Sequence, residues 1–338
     1  MKQRFDFKQE PLEAYADFAE GNELFPETAV EGESPYEPTS DFEWTEEELD
    51  YSIIVSPTSP GDDRFRIPAR SRRPSSLHFP FHTICFIERD RGTGFRPGGT
   101  GTLIAPQVVL TAKHVLMGVH PPCSVSRAFD ARAWIPKVRV TPGADLSTAN
   151  PRHQGPATPP SIVANSSRFR AHPELDFGVI ILPQPFTKPK QFMMLQPRST
   201  PRTATLLTIA GYPCDKPRGT MWGHSGRIPL TGVSNTHLRY TIDTCPGHSG
   251  SPIWLLGNAG VRLLLGVHTS GPAGCDNDPR PGRQCRPTGA PVTPVAGSNC
   301  GVRITCDVIN AISGWCREFS VRGPVIDQVV YRRRCTRR

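Results

Sequence analysis

The chain has 338 residues, enough for one large domain or two small ones around a sizeable core, and its 37 prolines and 30 glycines point to a loop-rich fold. No apolar run approaches the length of a membrane helix, and the opening Met-Lys-Gln-Arg-Phe-Asp lacks the apolar core of a signal peptide. The formal charge of +8 conceals two opposed regions: residues 1–50 hold 3 Lys and Arg against 16 Asp and Glu (net −13), the remainder 36 against 15 (net +21).

Residues 1–51 mix acidic residues with scattered aromatics and prolines at no helical or strand period, which reads as a disordered, removable pro-segment. A Pro-, Arg- and Ser-rich arm follows to about residue 80. Thr83-Ile-Cys-Phe-Ile87, Gly101-Thr-Leu-Ile-Ala105 and Val108-Val-Leu-Thr-Ala112 read as short buried strands. Strand-like runs recur at Lys137–Val140, Phe177–Leu182, Thr205–Ile209, Arg239–Ile242 and Leu263–Val267. Many short strands between Gly and Pro turns indicate an all-β fold of barrels or sandwiches. Only the end is predicted helical: Asp307 can cap a segment in which Val308, Ile309, Ile312, Trp315 and Phe319 share a face, packed outside the last barrel. Residues 272–298 read as a long polar loop. The expected division is a pro-segment over 1–51, an arm and first barrel over 52–190, a second barrel with the helix over 191–320, and a basic tail over 321–338.

Ten cysteines, at 85, 123, 214, 245, 275, 285, 300, 306, 316 and 335, exceed what a reduced cytosolic protein carries. None forms a Cys-x-x-Cys pair of the kind zinc sites use. The count argues for disulfides and a secreted protein, by an export route that the sequence does not display.

The stretch Thr244-Cys-Pro-Gly-His-Ser-Gly-Ser-Pro252 sets a serine among small residues that let another backbone come close. As a nucleophile, Ser249 needs a base to take its proton and fixed N–H donors for the oxyanion, which the amides of Gly247 and Ser249 can supply. His114, in Thr111-Ala-Lys-His-Val115 after a buried run, can be the base, and Asp176, at the mouth of an apolar strand, can orient it. Asp176-Phe-Gly178 is not a kinase signature here, because neither a glycine-rich nucleotide loop nor a His-Arg-Asp loop accompanies it.

The order His114, Asp176, Ser249 together with Gly99-Thr-Gly-Thr-Leu-Ile104, Val109-Leu-Thr-Ala-Lys-His114, Asp176-Phe-Gly-Val-Ile180, Gly211-Tyr-Pro-Cys-Asp-Lys-Pro217 with Thr220-Met-Trp222, and Gly247-His-Ser-Gly-Ser-Pro252 resembles the chymotrypsin-like serine proteases, and within them the glutamyl endopeptidases. The resemblance spans roughly residues 50–320. It implies two six-stranded antiparallel β-barrels with the catalytic cleft between them, and peptide-bond hydrolysis through an acyl-enzyme with no cofactor or metal. It further implies that Thr244 and His268 meet a substrate glutamate (or aspartate) side chain, His268 lying shortly after a pocket-lining strand, while Thr269, Ser270 and Gly271 offer backbone to an extended substrate. Cys245 with Cys275 would brace the pocket, and Cys85 with Cys123 would clamp the loop carrying His114.

Two departures stand out. His248 replaces the aspartate with which trypsin-like zymogens capture a new N-terminus, and the insertion at 272–298 borders the pocket. Expected partners are protein or peptide substrates and the chain's own acidic segment as an intramolecular inhibitor; a monomer is expected. The rival readings are a protease of other specificity and a silent basic binding module. The basic residues are dispersed apart from 70–73 and 332–338, so a nucleic-acid partner is not expected.

Overall fold

The computed structural model describes residues 64–69, 75–117, 134–146, 160–197, 206–227, 233–257, 261–271 and 299–335. The acidic segment, the basic run 70–73, Cys123, Cys275 and the loop 272–298 lie outside the described residues, so the expectations placed on them are not addressed by the fold.

Among the described residues fifteen strands follow in chain order: β1 (Phe65–Ile67), β2 (Ile84–Asp90), β3 (Phe95–Ala105), β4 (Val108–Thr111), β5 (Lys137–Pro142), β6 (Ile162–Asn165), β7 (Phe169–Ala171), β8 (Gly178–Ile181), β9 (Met194–Leu195), β10 (Leu206–Gly211), β11 (Met221–Arg227), β12 (His237–Tyr240), β13 (Pro252–Leu256), β14 (Arg262–Ser270) and β15 (Asn299–Arg303). Helix α1 (Lys113–Met117) follows β4, and α2 (Cys306–Glu318) and α3 (Gln328–Cys335) close the chain. They form two sheets, as the all-β reading expects, but of seven and eight strands rather than six each. The first runs β6-β5-β2-β3-β4-β8-β7 and is antiparallel throughout; the second runs β1-β11-β10-β13-β14-β15-β12, with the short β9 added in parallel to β14.

The two-residue period of the strands decides what each sheet buries. Val109 and Ile180 point into the first sheet's own core with Ile87, Leu103 and Val140, whereas Val108, Leu110, Val179 and Ile181 point into a core shared with Tyr212, Trp254 and Leu264 of the second. Sheet 1 is therefore apolar on both faces, which is why β4 and β8 read as unbroken apolar runs instead of alternating ones.

Four assignments differ from the sequence reading. The arm segment β1 joins the second sheet by pairing with β11, so the chain begins its described course in one sheet before building the other. The terminal helix is capped by Thr305, whose hydroxyl accepts from Val308 N at 3.3 Å; Asp307 lies in the first turn, where its charge suits the helix dipole. The helix also packs against β8 of the first sheet, with Phe177 and Trp315 ring centroids 5.7 Å apart and Arg170 4.5 Å over the Phe319 ring. Residues 321–335 are held rather than trailing: Ile326 bridges Leu195, and a disulfide joins Cys306 to Cys335 at the far ends of α2 and α3.

Trp254 is fully buried at the centre of the shared core, edge-on to Phe81 at 6.1 Å. Trp254→Ala in a Ser249→Ala background, which prevents self-digestion, is expected to cost about 3–5 kcal/mol in urea unfolding. A loss near zero would mean that the two sheets do not share this core.

Candidate active site

The proposed base sits on the first turn after β4. His114 is 2% exposed, and Asp176, in the loop before β8, grips it twice: Oδ1 accepts from the His114 backbone N–H at 3.0 Å and Oδ2 lies 2.7 Å from Nδ1. One carboxylate thus fixes both the main chain and the imidazole of the same residue, leaving Nε2 as the nitrogen turned away from it. Burial works to raise the Asp176 carboxyl, but the charge and hydrogen bonds of His114, with Lys113 beside it, outweigh burial and hold it below the ordinary carboxylate range. Lys113 is a part of this arrangement that sequence reasoning missed. Its buried Nζ donates to the carbonyls of His172 and Pro173 at 2.7 and 2.9 Å, tying the Asp176 loop to α1; burial pushes the amine down to about 8 against the opposing pull of Asp176.

Ser249 lies in the loop between β12 and β13, and that loop is pinned by its carbonyls. Pro246 O accepts from Cys214 N at 2.7 Å, Gly247 O from the Thr100 hydroxyl at 2.7 Å, and Ser249 O from Thr100 N at 2.8 Å. His248 O likewise accepts from Ser251 N at 2.8 Å, so the carbonyls that share a peptide plane with the amides of Gly247 and Ser249 are both taken, and among the described residues neither amide has a hydrogen-bond partner. Two such donors are what an oxyanion requires. Gly247 is obligatory in this turn: its φ is +100°, and a Cβ there would meet Tyr212 O at 2.4 Å.

Thr100 is the other missed residue. Fully buried on β3, it also accepts from Tyr212 N at 3.0 Å through its hydroxyl and receives the Thr111 hydroxyl on its carbonyl at 2.7 Å. Neighbouring Gly99 leaves room for Ser249 O on one side and Val115 on the other, since a Cβ there would meet them at 3.0 and 2.8 Å. The serine loop and the turn bearing His114 are therefore brought to the same stretch of β3.

Behind the loop, His248 is buried with Nδ1 accepting from Cys245 N at 3.1 Å, and burial, reinforced by Arg64, pushes its pKa down to about 4 although Asp215 opposes. In place of the aspartate of trypsin-like zymogens stands a neutral ring, next to a buried ion pair in which Arg64 binds both oxygens of Asp215 at 3.0 and 2.6 Å.

Thr244 and His268, the expected specificity residues, are each held by a buried partner. His268 lies within β14 rather than after it; its N–H donates to Ser251 O, and its carbonyl accepts from Gly250 N. Its Nδ1 is 2.5 Å from the buried Tyr240 hydroxyl of β12. The Thr244 hydroxyl donates to Asn299 Oδ1 at 2.7 Å, and Gly271 lies against both, within 3.5 Å of where its Cβ would be. Asn299 and Tyr240 carried no signal of their role in sequence. Thr269 bonds back to Cys300 O at 3.1 Å and β15 pairs with β14 as far as Ser270, whereas the pairing with β13 on the other edge ends at Pro252 and Val267. Cys245 is buried at the pocket, while its expected partner Cys275 lies outside the described residues. Cys85 does not form the expected clamp: it carries a free buried thiol that burial drives far up in pKa and that donates to Thr83 O. Cys214 and Cys300 are each disulfide-bonded.

The two sheets with a histidine–aspartate pair and a pinned serine loop at their junction define a protein of the chymotrypsin fold with a serine-hydrolase constellation. The family model for trypsin matches residues 85–286, and the chain belongs to the trypsin family. Among curated relatives, a glutamyl endopeptidase of Bacillus licheniformis is 26% identical over 257 residues (73% of this chain, 66% of the relative), and an extracellular metalloprotease of Bacillus subtilis is 25% identical over 258 (74% and 68%). The chain thus spans about two thirds of the length of these relatives. A glutamyl endopeptidase of Staphylococcus epidermidis is 38% identical over a shorter 65-residue stretch, 19% of this chain and 21% of the relative. Among solved structures, a Glu endopeptidase in complex with MPD superposes with a TM-score of 0.50 at 23% identity, covering 75% of this chain and 96% of its own, a likeness of fold.

A carboxyl whose folded pKa lies below its ordinary 3.8 stabilises the protein at neutral pH and loses that contribution as pH falls through the folded value. In the Ser249→Ala background, the stability lost on Asp176→Asn is therefore expected to be largest above about pH 4 and to shrink below it, read by urea unfolding. A difference that grows on acidification would show that Asp176 is not held ionised by His114.

Proposed function

We propose that this protein is a serine endopeptidase that cleaves after glutamate, and after aspartate in second place. The observation that carries the reading is the double hold of Asp176 on His114 beside a serine loop whose carbonyls are tied back by Thr100 and Cys214. In this mechanism Ser249 Oγ attacks the peptide carbonyl carbon while His114 Nε2 takes the hydroxyl proton. The carbonyl oxygen, now an anion, is held by the amides of Gly247 and Ser249, and Asp176 balances the imidazolium. Collapse breaks the C–N bond, the amine leaves with the proton from His114, and water attacking the acyl-enzyme returns the serine by the same steps in reverse.

The glutamate preference rests on His268 as a hydrogen-bond donor beside Thr244, and on the glutamyl endopeptidase relatives. Residues 269–271 offer backbone to an extended peptide as an added strand. The acidic segment 1–51, net negative against a body of opposite sign, acts as an occupant of the same cleft that keeps the enzyme latent. The name of the Bacillus subtilis relative and the disulfides support action outside the cell.

The test is a peptide panel varying only the residue before the scissile bond, run on the full chain, on a chain beginning at Ser52, and on Ser249→Ala. Cleavage after glutamate is expected, stronger in the shorter chain, and lowered by more than about 10⁴-fold in Ser249→Ala. Activity that survives in Ser249→Ala would remove the serine from the mechanism. Equal rates in the two parent chains would remove the latency.

A further inference from the structure

The loop that presents Asp176 is closed on a histidine that takes no part in the proton transfers. His172 stands four residues before Asp176, and its Nδ1 lies 3.2 Å from the backbone N of Glu174 and 3.0 Å from that of Leu175. Backbone amides can only donate, so Nδ1 is the acceptor of both. The main chain of His172 closes the other side: its N–H donates to Phe177 O at 3.0 Å, while Phe177 N–H donates to Leu175 O at 2.9 Å. Both chain neighbours of Asp176 are therefore tied to one residue, Leu175 through the imidazole and Phe177 through the backbone. Residue 173 is proline and has no N–H, so the two amides on the ring are all that the turn between His172 and Asp176 has to offer.

The ring is also held from behind. It stacks on Phe177, with centroids 5.2 Å apart and planes 25° from parallel, and Phe177 in turn meets Trp315 of α2 at 5.7 Å. Lys113 Nζ, from the turn that carries His114, donates to the carbonyls of His172 and Pro173 at 2.7 and 2.9 Å. Burial, aided by the charge of Lys113, lowers the pKa of the ring below its ordinary 6.5, against the opposing pull of Glu174 and of Asp307 on α2. A protonated imidazole carries a hydrogen on Nδ1 and accepts from neither amide, so the neutral ring is the form that holds the loop.

Asp176 works by reach, with one oxygen on the backbone N–H of His114 and the other on its Nδ1. A carboxylate held at two points loses its hold when the loop beneath it shifts by about 1 Å, and displacements of that size are costly in rate. We propose that His172 is a positioning residue of the catalytic site, its Nδ1 setting the shape of the loop that delivers the Asp176 carboxylate to His114. This rests on the serine-endopeptidase reading and deepens it: the couple of His114 and Asp176 has a third member that acts through the main chain. The property required at position 172 is a lone pair in one place, not an aromatic ring.

The test compares His172→Asn, His172→Phe and His172→Leu with the parent at about pH 7.5, in the form active in the panel above and on the peptide best cleaved there. Asparagine keeps a short-reach acceptor without the ring, phenylalanine keeps the ring against Phe177 without the acceptor, and leucine keeps neither. The expected kcat is within about threefold of the parent for Asn and lower by about tenfold or more for Phe and Leu, with KM moved by less than about threefold in all, because the change acts on proton transfer rather than on peptide binding. A role in packing alone reverses the order and leaves Phe closest to the parent. That result overturns the proposal, as does an equal loss of kcat in all three variants or a parental kcat in Leu. Should the Phe variant not fold, as urea unfolding will show, Asn against Leu decides, and equal kcat in those two overturns the proposal. No cleavage by the parent would sink the endopeptidase reading, and this proposal with it.

Discussion

The arrangement of this protein depends on one threonine. Thr100 uses its N–H, its carbonyl and both capacities of its hydroxyl within a buried junction: to Ser249 O, from Thr111, to Gly247 O and from Tyr212 N. Three of these four reach the second sheet's loops, while Thr111 is three residues before His114 on the first. Buried polar groups tolerate only arrangements in which each finds a partner. A slip of β3 by one residue would turn Thr100 to the other face and orphan several groups at once, so the register of the first sheet and the shape of the serine loop are set together. The position of nucleophile against base follows from a strand register rather than from contact between the two side chains.

The charges around the site are arranged around that frame. Asp176 is kept ionised by His114, which gives the proton-transferring ring a fixed counter-charge. Burial, reinforced by Arg64, holds the pKa of His248, one residue before the nucleophile, down to about 4. The junction thus holds the ionised Asp176 with Lys113 beside it, and the Arg64–Asp215 ion pair next to His248. The excess of Lys and Arg after residue 50 lies on residues dispersed through the chain.

Much of this was legible in the sequence, because the signals were local. Apolar runs such as Val108–Thr111 marked strands, and the ordered motifs around His114, Asp176 and Ser249 marked the residues that the fold brings to one junction. What was hidden depends on partners distant in the chain. Thr100 looks like any β-branched strand residue, and Tyr240 like any strand aromatic; each acquires its role from a residue at least 28 positions away. Asn299 follows a long polar loop that gives no hint of a buried amide. Thr305 was passed over in favour of Asp307 because both are good caps, and only the backbone decides between neighbours two apart. The landing of α2 on β8 could not be read from its apolar face, which shows that it is buried but not against what.

The central claim is that Ser249 is activated by a frame that Thr100 holds. The direct measurement is the rate at which a fluorophosphonate probe labels the protein, with the adduct located by peptide mass spectrometry, in the parent and in Thr100→Val. The expected result is a single adduct on Ser249 in both, formed at least about tenfold more slowly in the variant, since its loop loses the hydroxyl on which Gly247 O and Tyr212 N depend. An adduct on another residue, or equal rates in the two proteins, would contradict the account.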